Sequence, residues 1–211
     1  MPRPTLDPVE ARVAGALAEK ALATPDQYPM TLGSLVAACN QKTAREPVTD
    51  LSPRAVTDAL DRLSRRGLAG TTAGAGHRVA KFRHLLDRAL DLSQRELAVL
   101  TVLLLRGPQT PGEIRTRTAR LAEFESVEAV DEALWMLADR DEPLVVTLAR
   151  RPGQSADRVA HLLSGTPPDD VAPVHEEALA GPPPVSDWAA LVARVEALEA
   201  EVSALREALG G

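Results

Sequence analysis

Two stretches of the chain, Ser52–Arg66 and Ser126–Arg140, repeat one pattern of apolar and polar positions. Laid over each other, Ser52 meets Ser126, Val56 meets Val130, Leu60 meets Leu134, Leu63 meets Leu137 and Arg66 meets Arg140. Apolar residues three and four apart predict a helix with a single buried stripe. Each copy opens on serine, whose hydroxyl accepts a hydrogen bond from a free N–H of the first turn. Pro53 suits the first helical position, where no N–H is needed. A duplicated unit fixes the architecture before any single residue is interpreted.

The surrounding elements repeat as well. Asp7 with Glu10, leading into Val13 and Leu17, matches Ser93 with Glu96, leading into Val99 and Leu103. This spacing suits an N-cap and a first-turn carboxylate that cover free N–H groups. A short helix follows each, Thr31–Asn40 and Pro111–Arg120, with Leu35 and Ile114 at equivalent places. After the duplicated helix come two β-like runs: Leu68–Ala73 and Arg78–Phe82 around Gly74–Gly76, then Leu144–Arg150 and Arg158–Leu162 around Pro152–Gln154. Three helices plus a hairpin, twice, predicts a mainly α fold with small β-hairpins: tandem winged helix-turn-helix domains over residues 1–88 and 89–164. The run Val56–Leu68 resembles the recognition helix of winged-helix regulators, although its apolar stripe and Gly67 serve folding in any winged helix.

Beyond these units the pattern changes. Residues 165–187 hold six prolines with scattered acids and read as an extended linker. Over residues 188–210, Trp188, Leu191, Val195, Leu198, Val202, Leu205 and Leu209 alternate three and four apart. Valine at a and leucine at d predict a coiled-coil helix that forms a parallel homodimer. Arg194 facing Glu199 and Glu201 facing Arg206 across the seam support that orientation. The other reading is an amphipathic helix packed on its own chain.

Composition narrows the function classes. Hydrophobic residues make up 45% of the 211 residues but aromatic ones only 2%, so the two expected cores rest on Leu, Val and Ala. No apolar run reaches the length of a membrane span and the N-terminus lacks a signal pattern, so no membrane is expected. A single cysteine, Cys39, excludes an internal disulfide framework and fits a reducing, cytoplasmic setting. Four scattered histidines and one cysteine predict no metal site, no cofactor and no catalytic residue. A cysteine nucleophile needs a neighbouring base, and no histidine shares a motif with Cys39.

Charge divides by region. Residues 1–90 carry 13 Lys and Arg against 9 Asp and Glu, a net of +4. Residues 91–165 carry 9 against 12, and residues 166–211 carry 2 against 9, nets of −3 and −7. Only the first unit is basic. Arg54, Thr57, Arg62, Arg65 and Arg66 on the duplicated helix, with Arg78 and Lys81 near the hairpin, are the candidate contacts to double-stranded DNA. Asp58 and Asp61 on the same polar face oppose a phosphate backbone. The second copy carries Glu128, Asp131, Glu132 and Asp139 there, which weigh against such a role.

One polar block exceeds what a helix-turn-helix requires. It runs from Cys39 to Leu51 and includes Asn40, Gln41, Lys42, Arg45, Glu46 and Pro47. It reads either as an interaction surface or as an ordered, hydrogen-bonded turn. Several segments here and elsewhere carry a family likeness: Glu19-Lys20, Pro25–Pro29, Ala38–Thr43, Arg45–Val48, Leu104–Gly107, Gln109–Glu113 and Arg115–Arg117. The chain resembles the YceH-like family of bacterial proteins over residues 6–163. The resemblance implies a double winged helix and a cytoplasmic bacterial protein, and it implies no established activity. Where many members of that family carry Asn, this chain has Gly33. Two functions follow as expectations: a dimeric DNA-binding transcriptional regulator acting through its first domain, or a non-enzymatic adaptor that holds protein partners.

Overall fold

Asp7 starts the first helix. Its carboxylate accepts hydrogen bonds from the backbone N–H groups of Val9 and Glu10, each 2.8 Å, and Glu10 accepts one from the Asp7 N–H at 2.8 Å. This reciprocal cap, with Pro8 behind it, launches α1 (Pro8–Ala23). Thr31 caps α2 (Leu32–Cys39), Ser52 caps α3 (Pro53–Arg65), and a single turn, α4 (Leu86–Ala89), leads into the second half. There Ser93 and Glu96 repeat the reciprocal cap for α5 (Gln94–Arg106), Thr110 and Glu113 form another for α6 (Pro111–Thr118), and Ser126 caps α7 (Val127–Ala138). The computed structural model describes residues 3–72, 79–149 and 156–167. The expected hairpin tips, Arg78 and the heptad residues Leu191, Val195, Leu198, Val202, Leu205 and Leu209 lie outside the described residues.

Each half adds a small antiparallel sheet. In the first, β1 (Met30–Thr31), β2 (Ala69–Thr72) and β3 (Lys81–His84) lie in the order β1-β3-β2, with Thr71 opposite Phe82 and Met30 also opposite Phe82 on the other edge. In the second, β4 (Val145–Leu148) pairs with β5 (Arg158–His161), Thr147 opposite Val159. Gln109 bridges Val159 through two backbone hydrogen bonds of 3.0 and 2.7 Å. It stands one residue before the cap of α6, as Met30 stands before the cap of α2. The third strand of the first half is therefore reduced to one bridge in the second.

The described residues belong to one compact unit, residues 1–173. Rather than two cores, the buried apolar side chains form one cluster that draws on both halves. The reason lies in α1 and α5. Residues Glu10 to Ala18 of α1 and Glu96 to Leu105 of α5 are buried without a break, so neither helix has a solvent face over that stretch. A helix buried all round needs partners all round. Each packs its own half on one side and the other long helix on the opposite side. Gly15 marks the close approach, since a Cβ there would stand 3.0 Å from the Leu105 side chain. Among the described residues no helix is long and apolar enough to cross a membrane.

Candidate functional site

The stripe Val56, Ala59, Leu60 and Leu63 fixes α3 on the core, and the corresponding stripe Val130, Ala133, Leu134 and Leu137 fixes α7. What remains outward on each helix is the candidate surface. On α3 it carries Arg54, Asp58, Asp61 and Arg65, all exposed, with Thr57 half-buried. Arg54 extends into solvent, its side chain 92% exposed and 3.9 Å from Asp58. The Thr57 hydroxyl donates back to the Pro53 carbonyl at 2.9 Å.

Arg62 and Arg66 are engaged differently. Arg62 donates from Nε to Glu10 and from Nη2 to Asp7, each at 2.8 Å. Arg66 forms an ion pair with the same Glu10 and donates to the Thr5 carbonyl at 2.5 Å. Both arginines thus hold the N-terminus of α1 against the C-terminus of α3. Burial pushes the Glu10 carboxyl up, but the hydrogen bonds from Arg66, the Asp7 backbone and Arg62 outweigh it and leave its pKa below the ordinary value. The arrangement recurs in the second half. Arg140 pairs with Glu96 at 2.5 Å and donates to the carbonyls of Leu90 at 2.6 Å and Asp91 at 3.1 Å. An arginine at the end of the third helix, clamped on the capping glutamate of the first, is a shared part of the fold.

Lys81 is half-buried in β3, where its carbonyl accepts a hydrogen bond of 3.3 Å from the Thr72 hydroxyl; Arg83, two residues on, is exposed.

The outward face of α7 has another chemistry. Glu128, Asp131, Glu132 and Asp139 are exposed, and among them lie Trp135 at 46% and Met136 at 51% exposure. Sequence reasoning assigned no role to these two large apolar residues. Val130, Leu134 and Leu137 already fill the buried stripe, so Trp135 and Met136 fall outside it; that signal was present.

The polar block between α2 and α3 divides into a framework and an outer rim. Asn40 donates to the Leu51 carbonyl at 2.9 Å and accepts from the Leu51 N–H at 2.7 Å, closing the loop across eleven residues. Arg45 is buried; it grips Glu19 through two bonds of 3.0 and 2.6 Å and donates to the Ala38 carbonyl at 3.0 Å. Arg12, also buried, donates to the carbonyls of Cys39 and Pro47 at 3.1 and 2.6 Å. The Glu46 N–H donates to the Leu105 carbonyl at 2.9 Å, tying the loop to α5. Asn40 and Arg45 therefore serve an ordered turn. Gln41 is half-buried and Lys42 and Glu46 face outward.

With this geometry in place, known proteins supply the lineage. The family described as "Protein of unknown function, DUF480" matches residues 6–154. A UPF0502 protein of Pectobacterium atrosepticum is 48% identical over 210 residues, covering 97% of this chain and 96% of that protein. The UPF0502 protein YceH of Escherichia fergusonii is 48% identical over 205 residues, covering 95% and 92%, and one of Shewanella putrefaciens is 44% identical over 205, covering 94% and 93%. The chain belongs to the UPF0502 (DUF480) family. The YceH-like resemblance is borne out, with bacterial relatives that run almost the full length.

In this UPF0502 member Cys39 is a poor candidate nucleophile. Burial pushes its thiol up to about 11, against the opposing influence of Arg45 and Arg12, so the thiolate is scarce near neutral pH. Among the described residues no three His, Cys, Asp or Glu side chains group as a metal site. Gly33, in the first turn of α2, has no neighbouring atom within 4 Å of a would-be Cβ, so the site has room for a larger side chain.

Proposed function

We propose that this UPF0502 chain is a tandem winged-helix protein that works as a non-enzymatic interaction scaffold, paired into a homodimer by its C-terminal heptads. One observation carries the reading: Trp135 and Met136 lie exposed on the outward face of the second duplicated helix, ringed by acids. Exposed tryptophan and methionine are enriched at protein interfaces, where Trp supplies large contact area and Met adapts its shape. The three-helix-and-hairpin plan of each half supports the winged-helix assignment. The clamps of Arg62, Arg66 and Arg140 favour the scaffold over DNA, because arginines already paired with carboxylates contribute little to neutralising phosphates.

DNA binding through the first half is the second reading, and exposed Arg54 and Arg65 on an open helix face favour it. Asp58 and Asp61 between them cancel their charge on that face.

One experiment separates the two. A photoreactive p-benzoylphenylalanine replaces Asp131 on α7 or the equivalent Thr57 on α3, and the full chain is irradiated in cells. The scaffold reading expects discrete protein adducts from position 131. Duplex DNA binding in vitro is expected to be feeble at low salt and unchanged by Arg54→Glu/Arg65→Glu. Absence of protein adducts, with salt-dependent DNA affinity abolished by those reversals, would make the regulator reading the correct one.

A further inference from the structure

We infer that the outward face of α7 receives a cationic amphipathic helix from another protein, with an apolar side chain seated against Trp135 and Met136. This rests on the scaffold reading and names the partner's chemistry.

The face has an apolar centre and an acidic frame. Glu128, Asp131 and Glu132 lie on the N-terminal side of Trp135 and Met136, and Asp139 lies beyond them. No arginine or lysine occurs in the whole helix. A ligand that covers Trp135 and Met136 brings its own rim against these carboxylates. A cationic rim gains attraction and faster encounter, whereas an acidic rim is repelled. Nucleic acid and anionic lipid surfaces are repelled on the same ground, although Arg115 of α6 offsets part of the charge of Glu128. An apolar stripe with basic flanks is the usual composition of a helix that docks on an acidic, methionine-bearing surface.

The protein's own segments fit poorly. Residues 166–211 carry 2 Lys and Arg against 9 Asp and Glu, a net charge of the same sign as this face. The α3 face of a second copy offers Arg54 and Arg65 at the spacing of Glu128 and Asp139. It also brings Asp58 and Asp61 toward Glu132 and its neighbours. Contact between two different faces of identical chains also propagates into open polymers unless a two-fold axis or a ring closes it. A foreign basic helix meets neither objection.

Trp135 reports the event. With Trp188→Phe it becomes the sole tryptophan of the 211-residue chain. The probes are a short designed helix of leucine and lysine with one apolar face, and its leucine–glutamate counterpart. The lysine peptide is expected to shift Trp135 emission to the blue, with a Kd on the order of 10 μM that rises with salt. Glu128→Lys/Glu132→Lys weakens binding about tenfold or more, while Asp58→Lys/Asp61→Lys, the same change of net charge on α3, alters it less than about twofold. Thermal unfolding of each variant checks that the fold is intact. An equal shift with the glutamate peptide, or equal weakening by both reversal pairs, overturns the inference. So does a blue shift that grows with protein concentration alone and disappears in Arg54→Glu/Arg65→Glu, which assigns the face to a second copy. If the lysine peptide fails while protein adducts at position 131 persist, the inference falls and the scaffold reading stands; if both are absent, both fall.

Discussion

Arg62 and Met136 occupy the same position in the two copies of the third helix, yet one is bound inward and the other faces water. The copies agree along the buried stripe and at the terminal clamp: Val56 with Val130, Leu60 with Leu134, Leu63 with Leu137, and Arg66 with Arg140 on their capping glutamates. They disagree at most positions where a side chain points out, Arg54 against Glu128, Asp61 against Trp135 and Arg65 against Asp139, and keep an acid at Asp58 and Glu132. A basic residue on such a helix is therefore not evidence of a phosphate contact until its partner is known. Two of the four arginines on or beside α3 are parts of the scaffold, and the second half keeps the corresponding clamp on a helix with an acidic outer face.

The largest expected effect lies where the halves meet. Gly15→Leu drives a side chain into Leu105 and Leu104, and calorimetry is expected to show a loss of about 3 kcal/mol. A stable Gly15→Leu protein would mean that α1 and α5 do not share a core.

Acid should then separate the halves. Burial lowers the pKa of His161 to about 4, whereas burial of His84 is partly offset by Asp87, 3.5 Å away. An unfolded histidine titrates near 6.5, so between about 4 and 6.5 the unfolded chain binds more protons. Stability is complete above that window and falls as pH drops through it, by up to about 3 kcal/mol for His161. His161→Phe should flatten the pH dependence of Tm more than His84→Phe does; the reverse order would contradict the burial argument.

The clamps come next. Glu10→Ala and Glu96→Ala each remove a reciprocal cap and leave an arginine without its carboxylate, at a cost of about 2 kcal/mol. Similar losses in denaturant melts are expected, and a neutral result for either would show that the clamp is incidental. Both carboxyls sit below their ordinary pKa, so this stability is present above about pH 4.5 and is lost as pH falls further.

The smallest effect has the opposite sign. Thr101 aligns with Gly15 and is fully buried, with a hydroxyl that has no hydrogen-bond partner among the described residues. Thr101→Val should raise stability by about 1 kcal/mol in the same melts. A loss of similar size would point to a hydrogen bond from that hydroxyl.

Much of the fold was legible because its signals are local. Asp7 with Glu10, Ser93 with Glu96 and Ser52 with Pro53 announce helix starts within four residues, and the stripes show which side is buried. The α1–α5 seam was harder to read, since a helix buried all round gives no single face to assign. Strand β1, two residues long, is too short for any periodicity. The clamps join residues 52 or more positions apart in the first half and 44 apart in the second, so no window contains both partners. Their repetition at aligned positions was the available clue. The polar block split for the same reason: nothing near Arg45 in sequence announces Glu19, its partner 26 residues away.

The central claim is that the inward halves of the duplicated helices hold the fold while the outward halves choose the partner. Exchanging the outer face of α7 for that of α3 tests it in one chain, with Glu128→Arg, Glu132→Asp, Trp135→Asp, Met136→Arg and Asp139→Arg, and the photoreactive group kept at position 131. The account predicts a Tm within about 4 °C of the parent and complete loss of the cross-linked proteins. An unfolded chain, or a folded one that still captures the same proteins, would contradict it.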